Sequence, residues 1–469
     1  MIKPMLETEV KIEGLQKDIV NLRQQIEELE QDKIDLEALL EMTTEHSDSV
    51  EEELFGKAEE ALLESERRLR MIIEATPVAV IVSHIKDGYI VFANAIAGPL
   101  VGLSSEDLVE HKVTDFYADS AETARLADLL KKNNQVDHYE MEILRLDGSR
   151  FWADISMRYL EFNEQPSILA ALNDISHLKE LNKAARRFVP DEYLSFLKKD
   201  SLVDMHLGDH VTDEMTVMFS DLRSFTTISE GMTPQQNFDF INAYLGRVSP
   251  TIRENAGFIV KYLGDGIMAI FPGNADNGVQ AGIDKLNQVN IYNAERAKVG
   301  RLPVGVGIGV NTGHMMVGMV GEAGRMQGDA FSDDVNLTSR VEGLTKHYSV
   351  SFIITAATKE RLTDPLKYNI RFLDKVQVKG KLKALDLYEV YDADLPHMRS
   401  LKQETHAQYE QALQHYFARD FKEAQGILFD VLKKNPQDKV AWHHLIKATQ
   451  CLDEGVSENW AGVTVMTNK

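Results

Sequence analysis

The chain has 469 residues, more than one ordinary core can organise, and typical domain sizes predict three or four units. Its 51 lysines and arginines stand against 74 aspartates and glutamates, a formal charge of −23 that repels nucleic acid and anionic lipid, so neither is an expected partner. A single cysteine, Cys451, excludes a disulfide framework and a cysteine-based metal cluster; with no apolar run of about 18 residues and no basic-then-apolar leader, the expectation is a soluble, cytoplasmic protein.

Residues 1–65 are read as a coiled coil. Between residues 5 and 45, Gly and Pro are nearly absent, and Ile12, Leu15, Ile19, Leu22, Ile26 and Leu29 alternate at spacings of three and four, with Leu36 and Leu40 continuing the register. β-branched residues at the first seam position and Leu at the second favour a parallel dimer. The alternative is one amphipathic helix docked on its own chain. "TTEHSDSVEEE" interrupts the seam, and a second helix is predicted over about residues 50–74.

Residues 66–180 change texture to short strands. Asp87-Gly88 and Asp147-Gly148 each lie between apolar runs and predict hairpins, and "QPSILAALNDISHLKELN" reads as a last strand running into a helix. The ordered segments "GYIVFANAIAGPLVGLSSEDLVEHKVTDF", "LRLDGSRFWADISM" and "ALNDISHLKE" resemble a PAS sensor domain. The segment lacks the reactive cysteine of the flavin-binding photosensory branch, and His84, His111 and His138 read as structural or solvent-facing rather than as haem ligands, leaving the PAS ligand unknown. A helical connector follows over residues 181–209.

The next strand, in "EMTVMFSDLRSFT", ends in Asp221. A carboxylate at the tip of a core strand needs a cation or N–H donors, unless it caps the turn that follows. Asp265 sits at a second strand end in "KYLGDGIMAIF", at a hairpin tip where a glycine free to take positive φ is wanted. Two such carboxylates at neighbouring sheet tips suit hard divalent cations, which take oxygen ligands. Between them Thr233 caps a helix with Pro234 at its first position, and Ser249-Pro250 predicts a restart. Further on, "QGDAFSDDVNLTSRVEGLTK" opens a helix near Ser332 or Asp333, on which Asn336 and Arg340 share a face, either as a solvated surface or as a polar clamp on a ligand.

"FSDLRSFT", "KYLGDGIMAIF", "GDAFSDDVNLTSR" and "VKGK" occur in this order over residues 210–395, which resemble the catalytic domain of class III nucleotide cyclases. The resemblance implies a ferredoxin-like βαββαβ core with two Mg²⁺ or Mn²⁺ ions on Asp221, Asp265 and the Leu222 carbonyl. It implies triphosphate binding at the amides through Ser224, Phe225 and Thr226, and terminal-phosphate binding by Lys379. Lys261 and Asp329 fall where adenylyl cyclases recognise adenine and guanylyl cyclases typically carry Glu and Cys. Asn336 would orient the ribose and Arg340 would stabilise the transition state. In the family the two halves of each site come from two chains, so a homodimer acting on ATP is expected; a nucleotide-binding scaffold and a guanylyl cyclase are the alternatives.

Residues 400–455 resemble tetratricopeptide helix pairs, and since one repeat cannot bury its own apolar face this tail is expected to pack on the preceding domain or on a protein partner. The predicted architecture is therefore α+β and multidomain: parallel coiled coil, PAS α/β sensor, ferredoxin-like cyclase domain and TPR-like helices.

Overall fold

The computed structural model describes residues 3–378 and 383–466, side chains excepted at 3–13, 16 and 44–53. Lys379 lies outside the described residues. The chain divides into two units, Met1–Lys183 and Ala184–Lys469.

The first unit opens with α1 (Lys3–Ala75), one continuous helix of 73 residues. The interruption predicted at "TTEHSDSV" is absent from the backbone, because that stretch contains neither Gly nor Pro to stop it; Thr43 Oγ1 donates back to the Leu39 and Leu40 carbonyls (2.5 and 3.1 Å) and stays helical. The seam side chains from Leu15 through Leu40 are exposed on the single chain, Ile19 at 51% and Leu36 at 72%, while the side chain of Ile12 is outside the description. More than half of the surface of each of these apolar seam residues thus stays open on the single chain, so the docked-helix alternative finds no support in that stretch.

The PAS segment follows as β1 (Ala79–His84), β2 (Ile90–Ala93), α2 (Ala97–Val101), α3 (Ser105–Leu108), α4 (Ala121–Asn133), β3 (Gln135–Leu144), β4 (Arg150–Phe162), β5 (Gln165–Asp174) and α5 (Ser176–Ala185). Its sheet has the order β2-β1-β5-β4-β3, and Gly88 (φ +75°) and Gly148 (φ +82°) make the two predicted turns. The end of α1 is fastened to this sheet: buried Asn94 donates to the carbonyls of Ile73 and Val78 (3.3 and 2.8 Å), and Glu74 accepts from the Ala95 amide (2.7 Å).

The second unit begins with α6 (Asp191–Phe196) and continues through β6 (His210–Arg223), α7 (Phe225–Ser229), α8 (Pro234–Glu254), β7 (Phe258–Leu263), β8 (Gly266–Pro272), α9 (Ala275–Lys298), β9 (Gly305–Glu322), β10 (Arg325–Phe331), α10 (Asp333–Tyr348), β11 (Phe352–Thr355), α11 (Ala356–Glu360), β12 (Ile370–Gln377) and β13 (Leu385–Val390). The succession β6-α8-β7-β8-α9-β9 is the expected βαββαβ unit, and its strands lie in the order β9-β6-β8-β7. The long β6–β9 ladder runs from His210↔Gly318 to Arg223↔Gly305, so the residue after Ser220 emerges at a supported strand end. Thr233 and Gln236 form a capping box at the start of α8. The restart predicted at Pro250 does not occur: α8 runs through it to Glu254, because burial of Val248, Thr251 and Ile252 on either side outweighs the hydrogen bond that proline cannot donate.

The tail forms α12 (Pro396–Phe417), α13 (Phe421–Lys434), α14 (Lys439–Glu454) and β14 (Thr464–Val465). It does pack on the preceding domain. Tyr409, Tyr416, Leu428 and Val440 share one core with Val341, Tyr348 and Leu373, and β14 adds in parallel to β12 at the sheet edge. Beneath them the buried Arg371 guanidinium meets Glu389 (2.6 Å) and Asp438 (2.6 Å), while Lys402 bridges Glu389 and Asp394 (2.6 Å each). Among the described residues no helix is long and apolar enough to cross a membrane.

Candidate active site

Asp221 and Asp265 come together at the ends of β6 and the β7–β8 hairpin. The hairpin is joined by Gly264 and Asp265, and the positive φ (+71°) belongs to Gly264 rather than Gly266. Gly266 serves a different purpose: a Cβ there would lie 3.1 Å from Asp221 Oδ1 and 3.2 Å from the Ser220 carbonyl, a tight fit. The tip of β6 rests directly on the glycine that follows Asp265, which brings the two carboxyl groups to hydrogen-bonding range.

Their electrostatics are strained. Burial first, then the Asp265 charge and the hydrogen bond between the two carboxyls, push Asp221 up to about 6, against the Leu222 amide and the Lys285 ammonium, which pull it down. Asp265 Oδ2 is buried with no hydrogen-bond partner. Glu342 on α10 is pushed up to about 7, by burial and then by Asp221, with Asp265 adding to it and Arg223 opposing. Among the described residues no group of three or more His, Cys, Asp or Glu side chains converges as a metal cage. What the structure offers is two adjacent carboxylates, one with an orphaned buried oxygen, a donor set that fits a hard cation whose remaining ligands are water, backbone carbonyl and phosphate oxygens.

Lys285 is a feature that sequence reading missed. It is fully buried on α9, donates from Nζ to Ser220 Oγ, and burial lowers it to about 7 against the pull of Asp221. A lysine among Gly278, Val279, Gly282, Leu286 and Val289, on the apolar face of its helix, is the signal that could have found it. Glu342 carries no such signal, since its burial follows from α10 lying against Gly309, whose missing Cβ would meet the Glu342 backbone at 2.4 Å.

Lys261 and Asp329 form a second pair. A bulge in β7 between Ile259 and Lys261 turns the lysine toward β10, and its Nζ lies 2.8 and 2.7 Å from the two Asp329 oxygens. Asp329 is 8% exposed and also accepts from the Ala330 amide (2.8 Å). Tyr193 of α6 lies against this corner, its hydroxyl donating to the Gly318 carbonyl (2.8 Å), and burial followed by the Asp329 charge raises its phenol.

Ser224 adopts a left-handed conformation (φ +55°) just before the short α7, so the chain turns immediately after β6; Phe225 stacks on Phe240 with ring centroids 6.3 Å apart. Ser332 caps α10 by accepting from the Val335 amide (3.0 Å), and Asn336 and Arg340 lie on the exposed side of that helix. The charges acting most strongly on Asp221 are Asp265 and Lys285.

Residues 208–391 match the adenylate and guanylate cyclase catalytic domain, and residues 77–177 match a PAS domain. The chain carries a class III cyclase catalytic domain together with a PAS domain. It is 38% identical over 219 residues to an adenylate cyclase of Anabaena cylindrica, covering 45% of this chain and 44% of that one. It is 34% identical over 271 residues to the terminal-differentiation specific adenylate cyclase of Dictyostelium discoideum, covering 56% of this chain and 13% of that one. The solved adenylyl cyclase CyaB from P. aeruginosa is 26% identical, with 39% of this chain and 95% of that chain covered and a TM-score of 0.35. The chain thus spans less than half the length of the two curated relatives.

Proposed function

We propose that the protein is an adenylyl cyclase that converts ATP to 3′,5′-cyclic AMP and pyrophosphate at a homodimer interface, under control of its PAS domain. The observation that carries this reading is the convergence of Asp221 and Asp265, with an orphaned carboxylate oxygen, beside the turn made by Ser224. Two divalent cations held by Asp221, Asp265 and the Leu222 carbonyl would supply Lewis acidity toward the ribose 3′-hydroxyl and the departing pyrophosphate.

The chain's own groups do the rest. Amides from Ser224 to Thr226 face the triphosphate, with Lys379 at its terminal phosphates. Adenine presents an amino donor and ring-nitrogen acceptors, which match the Asp329 carboxylate and the Lys261 ammonium. Their mutual pairing keeps both side chains oriented before the base arrives. Asn336 orients the ribose. The planar Arg340 guanidinium meets the charge that grows on the phosphorus, a geometry an ammonium does not reproduce. On this reading the metal-binding carboxylates and the base-reading and transition-state groups of one site come from two copies of the chain. The exposed seam of α1 supplies an independent reason for two copies to meet.

Purified protein incubated with Mn²⁺ and either ATP or GTP tests this directly. Cyclic AMP from ATP, abolished by chelation, is the expected result. A preference for GTP would overturn the base assignment, and no cyclic nucleotide under any condition would favour a nucleotide-binding scaffold.

A further inference from the structure

The PAS core is hollow. A cavity of about 520 Å³ lies between α4 and the sheet, walled by core side chains including Leu108, Leu126, Leu130, Ile143, Ile155 and Leu172, each 8% exposed or less. Protein interiors are ordinarily packed without voids much larger than a water molecule, so a space this large inside a small domain is a site for something. Its walls are mainly apolar, with polar groups at Ser83, His84, Thr114, Thr123 and Tyr159; the His84 Nδ1 is already engaged by Ser167 Oγ at 3.3 Å.

The rim carries two lysines and one carboxylate. Lys86, from the β1–β2 turn, and Lys131, from the last turn of α4, both border the opening and are exposed; among the described residues neither forms an ion pair. The rim's one carboxylate, Asp87, accepts from the Tyr89 amide (3.2 Å) and is engaged in its own turn. Two ammonium groups at the mouth of a hydrocarbon-lined hollow complement a molecule that is apolar along its body and anionic at one end.

We propose that the PAS cavity binds a long-chain carboxylic acid, with its hydrocarbon between α4 and the sheet and its carboxylate between Lys86 and Lys131. This rests on reading the PAS domain as the sensor of the cyclase. The ligand's chemistry thereby becomes that of an amphipathic acid. His138, which bears φ +51° and pairs on the surface with Asp154 (2.9 Å), and His111, set near Asp115 (3.9 Å), do not border the cavity.

The test is titration of the full chain with a fluorescent C18 polyene fatty acid, and with the matching alcohol, below their micellar concentrations. The acid is expected to bind saturably and roughly three- to tenfold more tightly than the alcohol. The double variant Lys86→Met, Lys131→Met, on surface positions, is expected to bring the acid to the alcohol's affinity and leave the alcohol unchanged. Equal binding of acid and alcohol in the parent chain overturns the assignment of the rim, and no saturable binding of either overturns the site. Cyclase rate measured with and without the acid separates the two readings: acid binding with no change in rate contradicts sensing while leaving the ligand class intact.

Discussion

At the scale of single residues, the site is held together by groups that would be more comfortable apart. Asp221 carries a carboxyl raised from the ordinary carboxylate range to about 6. A carboxyl raised in the folded state binds more protons folded than unfolded between its two values, so the metal-free protein loses stability as pH rises through roughly 4 to 6 and carries the full penalty above. Asp221→Asn, which removes the charge and keeps the shape, is therefore expected to raise the melting temperature in EDTA at pH 8 by roughly 1–3 °C while abolishing turnover. Scanning calorimetry paired with a cyclase assay checks both signs, and an unchanged or lower melting point would contradict the repulsion between the two carboxyls. Asp265→Asn is expected to abolish turnover as well. Arg340→Ala, by contrast, should lower the rate by about 10² to 10³ with little effect on ATP affinity, as expected for a group that meets charge only in the transition state. The strand-end carboxylates and the Asn and Arg four apart could be picked out in the order of the chain, while the roles proposed for them come from the family resemblance. Lys285 was overlooked although it sits on the apolar face of its helix, and Glu342 was not legible, because its burial depends on a strand remote in sequence.

At the scale of elements, local pattern proved a good guide wherever it was not outvoted by packing. The hairpins at Gly88 and Gly148 and the cap at Thr233 form where turn and capping chemistry place them. Pro250 is the opposite case, a helix breaker overruled by the apolar residues around it. The docking of the tail was only half legible: its helices could be seen to need a partner, but Arg371 and Asp438 stand 67 residues apart, and nothing local announces their pairing. Removing one member of a buried ion pair strands the other, so Arg371→Leu is expected to destabilise the catalytic unit by about 3–5 kcal/mol. Urea denaturation of the full chain, followed through loss of cyclase activity and of helical signal, measures it; a loss under about 1 kcal/mol would mean the network contributes little to fastening α12–α14.

At the scale of the whole molecule, a long helix with an unsatisfied apolar seam leads into a PAS domain, and Asn94 and Glu74 fasten that helix to the PAS sheet. The catalytic unit presents the Asp221–Asp265 carboxylates in one place and the Lys261–Asp329 pair in another. The βαββαβ core and the two carboxylates were readable in advance, while the dimer that would join the halves is a property of two chains and is written in neither one alone. The measurement that bears most directly on this account mixes two inactive variants, Asp221→Asn and Arg340→Ala, and assays isolated heterodimers. Each heterodimer should contain one site with both defects and one with neither, giving roughly half the parent activity per dimer. Heterodimers as inactive as either variant alone would contradict a site shared between two copies of the chain.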